Sequence, residues 1–328
     1  MMTEPLHKSL MNPPTYSVVV PVFRSEATLP ELLAQVASLR LDAPAEIVFV
    51  IDGSPDNSYA LLKTRLPTMP FPSQLICLSR NFGSFAAIRC GLEAARGQHI
   101  AFLAADLQQP VSSIEEFFRA LNQGADIAIG QRSERADPLL SRLASAVFWA
   151  CYRRFVQHDV PPGGIDAFAC TRQVRDVLVG LPEANSTLVG LLLWVGFRRE
   201  FITYARAHRP SGTSGWTLAR KLRYALDSAF AFSDMPITLM LLVGTMGLVA
   251  TTAAGLVVFA AWAAGSIAVP GYTALMLTLL GSVSIVLLAI GILGGYVWRV
   301  FENTKGRPSH LVRSTETFNP IASPPRTA

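Results

Sequence analysis

Four short polar runs, each following an apolar stretch, hold the residues best able to do chemistry. The first is Pro21-Val22-Phe23-Arg24-Ser25-Glu26, and the second is Asp52-Gly53-Ser54-Pro55-Asp56-Asn57-Ser58. The third is Leu78-Ser79-Arg80-Asn81-Phe82-Gly83, and the fourth is Leu103-Ala104-Ala105-Asp106-Leu107-Gln108-Gln109-Pro110. A carboxylate leaving a buried strand end, as Asp106 does, is placed to ligate a hard cation that bridges phosphates. It is equally placed to cap a helix. The run from Asp52 also reads as a turn with a helix cap, because Asp, Gly, Ser and Asn are turn formers. No G-x-G-x-x-G follows the first run, which argues against a dinucleotide oxidoreductase.

The elements that must carry these runs alternate. Short β-branched or apolar stretches at 17–22, 46–51, 74–78, 99–103 and 126–130 read as strands. Helical patterns fill 29–40, 58–66, 84–96 and 113–122 between them. Continuous apolar strands separated by helices predict a parallel sheet covered on both faces. Right-handed crossovers then give a doubly wound fold with ligands at the carboxyl ends of the strands, where the four polar runs lie.

The other half of the chain is different in kind. From Met235 to Trp298 there is no Asp, Glu, Lys, Arg or His. A spanning helix needs roughly 20 apolar residues, so the run predicts two, at 237–264 and 272–298, joined by a turn around Gly265-Ser266 and Pro270-Gly271. Arg220, Lys221 and Arg223 precede the first span, and Arg299, Lys305 and Arg307 follow the second. The positive-inside tendency puts both chain ends in the cytoplasm, anchoring an integral membrane protein. Residues 1–15 are polar, lack an apolar h-region and read as a disordered tail, not a signal peptide. The cytoplasmic tail 299–328 turns rich in Ser, Thr and Pro after Leu311, a composition that predicts disorder.

Cys77, Cys90, Cys151 and Cys170 show no metal or redox spacing and read as reduced, packed thiols. The net charge is +5, and the basic residues near the ends of the uncharged run suit an anionic leaflet. The basic residues are not interleaved with aromatics on a recognisable module, so no nucleic-acid partner is expected.

Taken in order, PVFRSE at Pro21, DGSPDNS at Asp52, LSRNFGS at Leu78 and DLQQP at Asp106 resemble one family. GQR at Gly130, GGIDAFACTR at Gly163, RPSGTSGWT at Arg209 and YVWRVFENTKGRP at Tyr296 extend the likeness over roughly Tyr16 to Leu311. The set is similar to the inverting family-2 glycosyltransferases with the nucleotide-diphospho-sugar (GT-A) fold. Within them it resembles the membrane-bound polyprenyl-phosphate group, that of dolichyl-phosphate mannose synthase and bactoprenol glucosyltransferase. The resemblance implies a GT-A catalytic domain at 16–215, a juxtamembrane helix at 216–234 and the hairpin after it. It implies transfer of a sugar from a UDP- or GDP-sugar to undecaprenyl or dolichyl phosphate at a bacterial inner membrane.

Roles follow from the same resemblance. Pro21, Glu26, Asp52, Arg80, Asp106, Gln108 and Ser214 are implied at the donor, with Asp52 on the nucleotide and Ser214 in a loop folding over it. Asp106 and Gln108 are implied at the diphosphate and its Mg²⁺ or Mn²⁺. Arg132, Arg135, Arg206 and Arg209 are implied at the lipid phosphate, and Asp166 near the acceptor. One departure stands out: the family's Asp-x-Asp at the fourth strand is Ala104-x-Asp106 here. A single carboxylate makes a weak divalent site unless substrate phosphates and water complete it.

The chemistry can be argued on its own terms. A lipid monophosphate has a second pKa of about 6 and is a competent nucleophile at neutral pH. The enzyme must supply charge compensation, and arginine's planar fork suits that task, with Arg206 and Arg209 the best candidates. In-line attack then predicts inversion at the anomeric carbon; Arg206 and Arg209, with Asp106 and Asp166 as the resemblance implies them, make up the catalytic set. Leu139, Leu140, Leu143, Val147 and Phe148 recur at helical spacing within 138–157, as do Leu218, Leu222, Leu226 and Phe230 within 216–233. Both stretches read as interfacial amphipathic helices or as ordinary core-facing ones. Gly281, Gly291, Gly294 and Gly295 would allow helix contact within the hairpin or in a homo-oligomer. A processive polysaccharide synthase is disfavoured by the absence of Q-x-x-R-W. A catalytically degenerate membrane scaffold is the main alternative, because of Ala104.

Overall fold

The computed structural model describes residues 14–132, 153–154, 165, 167–181, 188–205, 233, 235–264 and 271–320. The five anticipated strands form as β1 (Tyr16–Val22), β2 (Ala45–Ile51), β3 (Ser73–Leu78), β4 (His99–Phe102) and β5 (Ile127–Arg132). The helices between them are α1 (Leu29–Ala37), α2 (Ser58–Arg65), α3 (Ser84–Ala94) and α4 (Ser113–Asn122). Three further strands, β6 (Ala167–Thr171), β7 (Arg199–Tyr204) and β8 (Val312–Phe318), complete one sheet of order β7-β5-β6-β4-β1-β2-β3-β8. Helices α5 (Arg172–Gly180) and α6 (Leu188–Trp194) lie between β6 and β7 in sequence.

The strands are apolar on both sides because both faces are covered. Val18, Val20 and Val22 of β1 pack with Leu29, Leu32, Phe117 and Phe118, placing α1 and α4 on one face. Val19 of β1 and Val48 and Val50 of β2 pack with Ile88, Val174 and Leu192, placing α3, α5 and α6 on the other. Gly91 lets α3 lie close: a Cβ there would stand 2.2 Å from Val19 Cγ1. The doubly wound α/β, GT-A-like fold is therefore as anticipated.

Strand direction decides where the site can be. β1 pairs in parallel with β2 and β4, and β2 with β3. β6 runs antiparallel to both β4 and β5, and β7 runs parallel to β5. Hence β1–β5 and β7 all end at one edge of the sheet. The opposite edge is locked by buried Glu46, which accepts hydrogen bonds from Ser17 Oγ, Gln74 Nε2 and the Arg96 guanidinium.

The tail is the clear correction. Residues 312–318 are not disordered: they form β8, antiparallel to β3 from Ser73↔Phe318 to Leu78↔Val312. Val-Arg-Ser-Thr-Glu-Thr-Phe is rich in β-branched residues, and β3 offers an otherwise unpaired edge. Phe318 packs against the α1/α4 core, and the Glu316 carboxylate accepts from Tyr59 and Lys63 of α2.

Two long helices stand where the uncharged run was noted, α7 (Met235–Ala263) and α8 (Tyr272–Thr304). Among the described residues one stretch, Gly281–Thr304, is long and apolar enough to cross a membrane; α7 contributes the shorter apolar stretch Ile237–Gly247. Residues 1–13, the turn 265–270 and nearly all of 138–157 and 216–234 lie outside the described residues.

Candidate active site

Loops at the ends of β1, β2, β3 and β4 meet along the carboxyl edge, on strands that are neighbours in the sheet. Asp52 leaves β2 almost fully buried, 3% exposed. Its two carboxylate oxygens accept from the amides of Phe82 (2.7 Å) and Gly83 (2.9 Å). Gly83 is the N-cap of α3 and has no side-chain cap of its own. Asp52 thus satisfies amides at the start of α3 and places negative charge at the positive end of its dipole. Its immediate work is to fix the 79–83 loop.

Gly53 follows with φ +57°. A Cβ there would lie 2.4 Å from Arg80 C and Asn81 N, so the β2 and β3 loops touch backbone to backbone. That contact explains glycine at this position better than turn propensity does. Arg80 is exposed, its guanidinium stacked 4.0 Å over the Phe82 ring and its Nη1 donating to Asn81 O. A cation resting on an aromatic face is held at low entropy cost and keeps free edges for an anionic or planar ligand.

The β1 and β2 loops are laced together. Arg24, a non-glycine residue at φ +52°, donates its amide to Ser54 Oγ at 2.7 Å. The Glu26 amide donates to Asp56 Oδ2, and the Glu26 carboxylate accepts from the Asn57 amide and side chain. Glu26, anticipated at the donor, is engaged in bracing the loops. Pro21 sits inside β1, beyond Val19 where pairing with β4 ends, so its missing N–H breaks no bond with β4.

At β4, half-buried Asp106 accepts from the Gln108 amide at 3.2 Å, and the adjacent Leu107 has φ +59°. Thr28 Oγ1, at the start of α1, donates to Ala105 O at 2.7 Å and ties this loop to β1. Two strained non-glycine residues, Arg24 and Leu107, therefore flank the same edge, as strain does at functional sites. Ala104 is half-buried against the α3-side core. Among the described residues no group of three or more His, Cys, Asp or Glu could hold a metal ion. Asp106 alone is one carboxylate, so a divalent ion there would need most of its ligands from elsewhere.

Arg132 ends β5 at the same edge, paired with Tyr204 at the end of β7. Asp166, Arg135, Arg206, Arg209 and Ser214 lie outside the described residues.

A family model described as Glycosyl transferase family 2 matches residues 17–172, the stretch that carries β1 to β6 and every loop above. The chain is 31% identical to a Bacillus subtilis protein bearing the glycosyltransferase name CsbB, over 84% of this chain and 83% of that one. It is 30% identical to the prophage bactoprenol glucosyl transferase homolog of Escherichia coli K12, over 90% of this chain and 98% of that one. It is 29% identical to the SfII prophage-derived bactoprenol glucosyl transferase of Shigella flexneri, over 93% and 99%. The chain belongs to glycosyl transferase family 2. Its solved likenesses include glucosyl-3-phosphoglycerate synthase of Mycobacterium tuberculosis with Mn²⁺ and UDP-glucose, at 17% identity, 65% and 76% coverage and a TM-score of 0.44, too distant to bear on the site.

In this glycosyltransferase the residues missed from sequence are the braces: Thr28, Ser54, Asp56 and Asn57. Ser54, Asp56 and Asn57 sit in a motif already noticed and Thr28 lies two residues past another, but a brace and a ligand contact use the same turn-forming residue types. Burial pushes the Asp56 carboxyl up; hydrogen bonds from Ser54, the Glu26 amide and Ser58 outweigh it and hold the group below the ordinary carboxylate range. Cys90 and Cys170 are free and buried, each pushed to about 12 by desolvation, so neither is a nucleophile at neutral pH.

Proposed function

We propose that this glycosyltransferase moves a sugar, with inversion, from a UDP- or GDP-sugar to polyprenyl phosphate at the cytoplasmic face of a bacterial inner membrane. One observation carries the reading. The chain leaves the sheet at the carboxyl end of β7 and returns, through antiparallel β8, at the carboxyl end of β3. The apolar helices α7 and α8 are inserted in the chain between those two points, an order that supports a site edge turned toward them. Bactoprenol glucosyl transferases match this chain over nearly their whole length, helices included. The charged end of α8 adds support: Lys305 lies over the rings of Phe301 (4.4 Å) and Trp298 (5.3 Å), an aromatic and cationic pairing that suits a membrane interface.

In this reading α7 and α8 form a transmembrane hairpin with both ends cytoplasmic. The Arg80 stack and the 79–83 loop held by Asp52 receive the nucleotide. Asp106 and Gln108 would hold a divalent ion, Mg²⁺ or Mn²⁺, which would supply charge neutralisation for the donor diphosphate. Arg132, Arg135, Arg206 and Arg209 gather the lipid phosphate; its oxygen attacks the anomeric carbon and the nucleoside diphosphate leaves. Asp166 orients the acceptor, and Ser214 closes over the donor. Catalysis is positioning and charge compensation, since the nucleophile is already ionised. A Cβ added at Gly281, Gly291 or Gly294 would meet no atom of the described residues within 4 Å, which leaves room for a second copy beside α8.

The test is a panel of UDP- and GDP-sugars offered to purified protein with undecaprenyl phosphate. One donor yielding a lipid-linked sugar phosphate supports the reading. Failure of all donors with any lipid phosphate overturns it.

A further inference from the structure

We propose that β8 is a second tether that holds the site edge against the bilayer and so serves the membrane-embedded acceptor specifically. The inference rests on the function proposed above. The sheet is eight strands wide, about 34 Å at the usual strand spacing, with β7 at one edge and β8 at the other. Its two connections to the apolar helices are therefore at opposite edges. A domain held at one edge can swing; a domain held at both presents its carboxyl edge steadily.

The β8 connection is short and firmly seated. Seven residues lie between Thr304 and Val312, a reach of about 28 Å at full extension. The Ser79 amide donates to Leu311 O at 2.9 Å, joining the linker to the first residue of the loop that Asp52 fixes. His310 Nε2 lies 3.4 Å from Glu93 Oε2 on α3. Beyond it the β3 ladder, the Phe318 seat and the Glu316 contacts to Tyr59 and Lys63 hold the strand. Each of these contacts is made to protein, so β8 and its linker act as positioning elements. Restricting the swing raises the effective concentration of an embedded phosphate at the site, and does nothing for a phosphate free in solution.

A protease site inserted between Gly306 and Ser309 of the full-length protein separates these effects. Cutting in vesicles severs the tether and leaves β8 on the sheet, which a C-terminal tag reports. Transfer is measured to embedded polyprenyl phosphate and to a short, water-soluble prenyl phosphate. The expected result is at least a tenfold fall with the embedded acceptor and less than a twofold change with the soluble one. An unchanged embedded rate, or an equal fall with both, overturns the tether. Uncut wild-type protein that transfers to neither acceptor overturns the proposed function instead. If the insertion itself silences the enzyme, Tyr59→Phe with Glu316→Ala is read by the same ratio, with a smaller selective loss expected and an equal loss with both acceptors contradicting it.

Discussion

Asp52 shows how a residue can matter to a ligand without reaching for it. Both of its oxygens are taken by backbone amides of the 79–83 loop. Asp52→Asn would turn an NH₂ toward one of those donors and leave a buried amide unpaired, a cost of about 1–3 kcal/mol. Thermal unfolding should register that loss, and donor affinity measured by titration should weaken about tenfold as the loop loosens. Asp106→Ala should differ: it gives up the bond from the Gln108 amide, so melting falls modestly, while metal-dependent turnover is lost. Full turnover in that variant would remove Asp106 from the diphosphate site. Asp56 sets a pH dependence. Its carboxyl titrates below the unfolded value of about 3.9, so its stabilising contribution is complete above that pH and is lost as pH falls through the lower folded value. Asp56→Asn should flatten the acid limb of a stability profile below about pH 4, leaving the neutral region little steeper or shallower than before.

At the scale of elements, α3 crosses β1 at close quarters. Gly91→Val would drive a side chain into Val19, and overpacking of this kind costs about 1–3 kcal/mol or more; chemical denaturation should show it. The βαβ half was legible because its strands are unbroken apolar runs, such as Val18-Val19-Val20, and its helices alternate with them at regular intervals. β6 and β7 were not: Ala167–Thr171 is buried but short and helix-tolerant, and Arg199–Tyr204 is an edge strand with exposed Glu200, so neither carries a clear strand signature. β8 was hidden by composition. Its Ser and Thr residues look like a solvated tail until an unpaired edge is available to them, and that edge is a property of the fold. The site loops were found for the same reason the strands were, since polar runs after buried strands mark carboxyl ends. Which polar residue is bonded into a brace could not be read, because Asp56 and Asp106 are chemically alike and differ only in what surrounds them.

At the scale of the whole molecule, the direction of the strands matters more than any single residue. Site loops and both exits toward α7 and α8 share one edge, which is where the proposed function needs a bilayer-held acceptor to meet a donor arriving from water. Arg209→Lys should then raise KM for the lipid phosphate about tenfold while leaving donor affinity within twofold, since an ammonium cannot grip phosphate oxygens in pairs. The most direct measurement is transfer from a labelled nucleotide sugar to undecaprenyl phosphate in vesicles, with the anomeric configuration of the product read by NMR. A sugar phosphate of configuration opposite to the donor's is expected. Retained configuration, or no lipid-linked product from any UDP- or GDP-sugar, would contradict it.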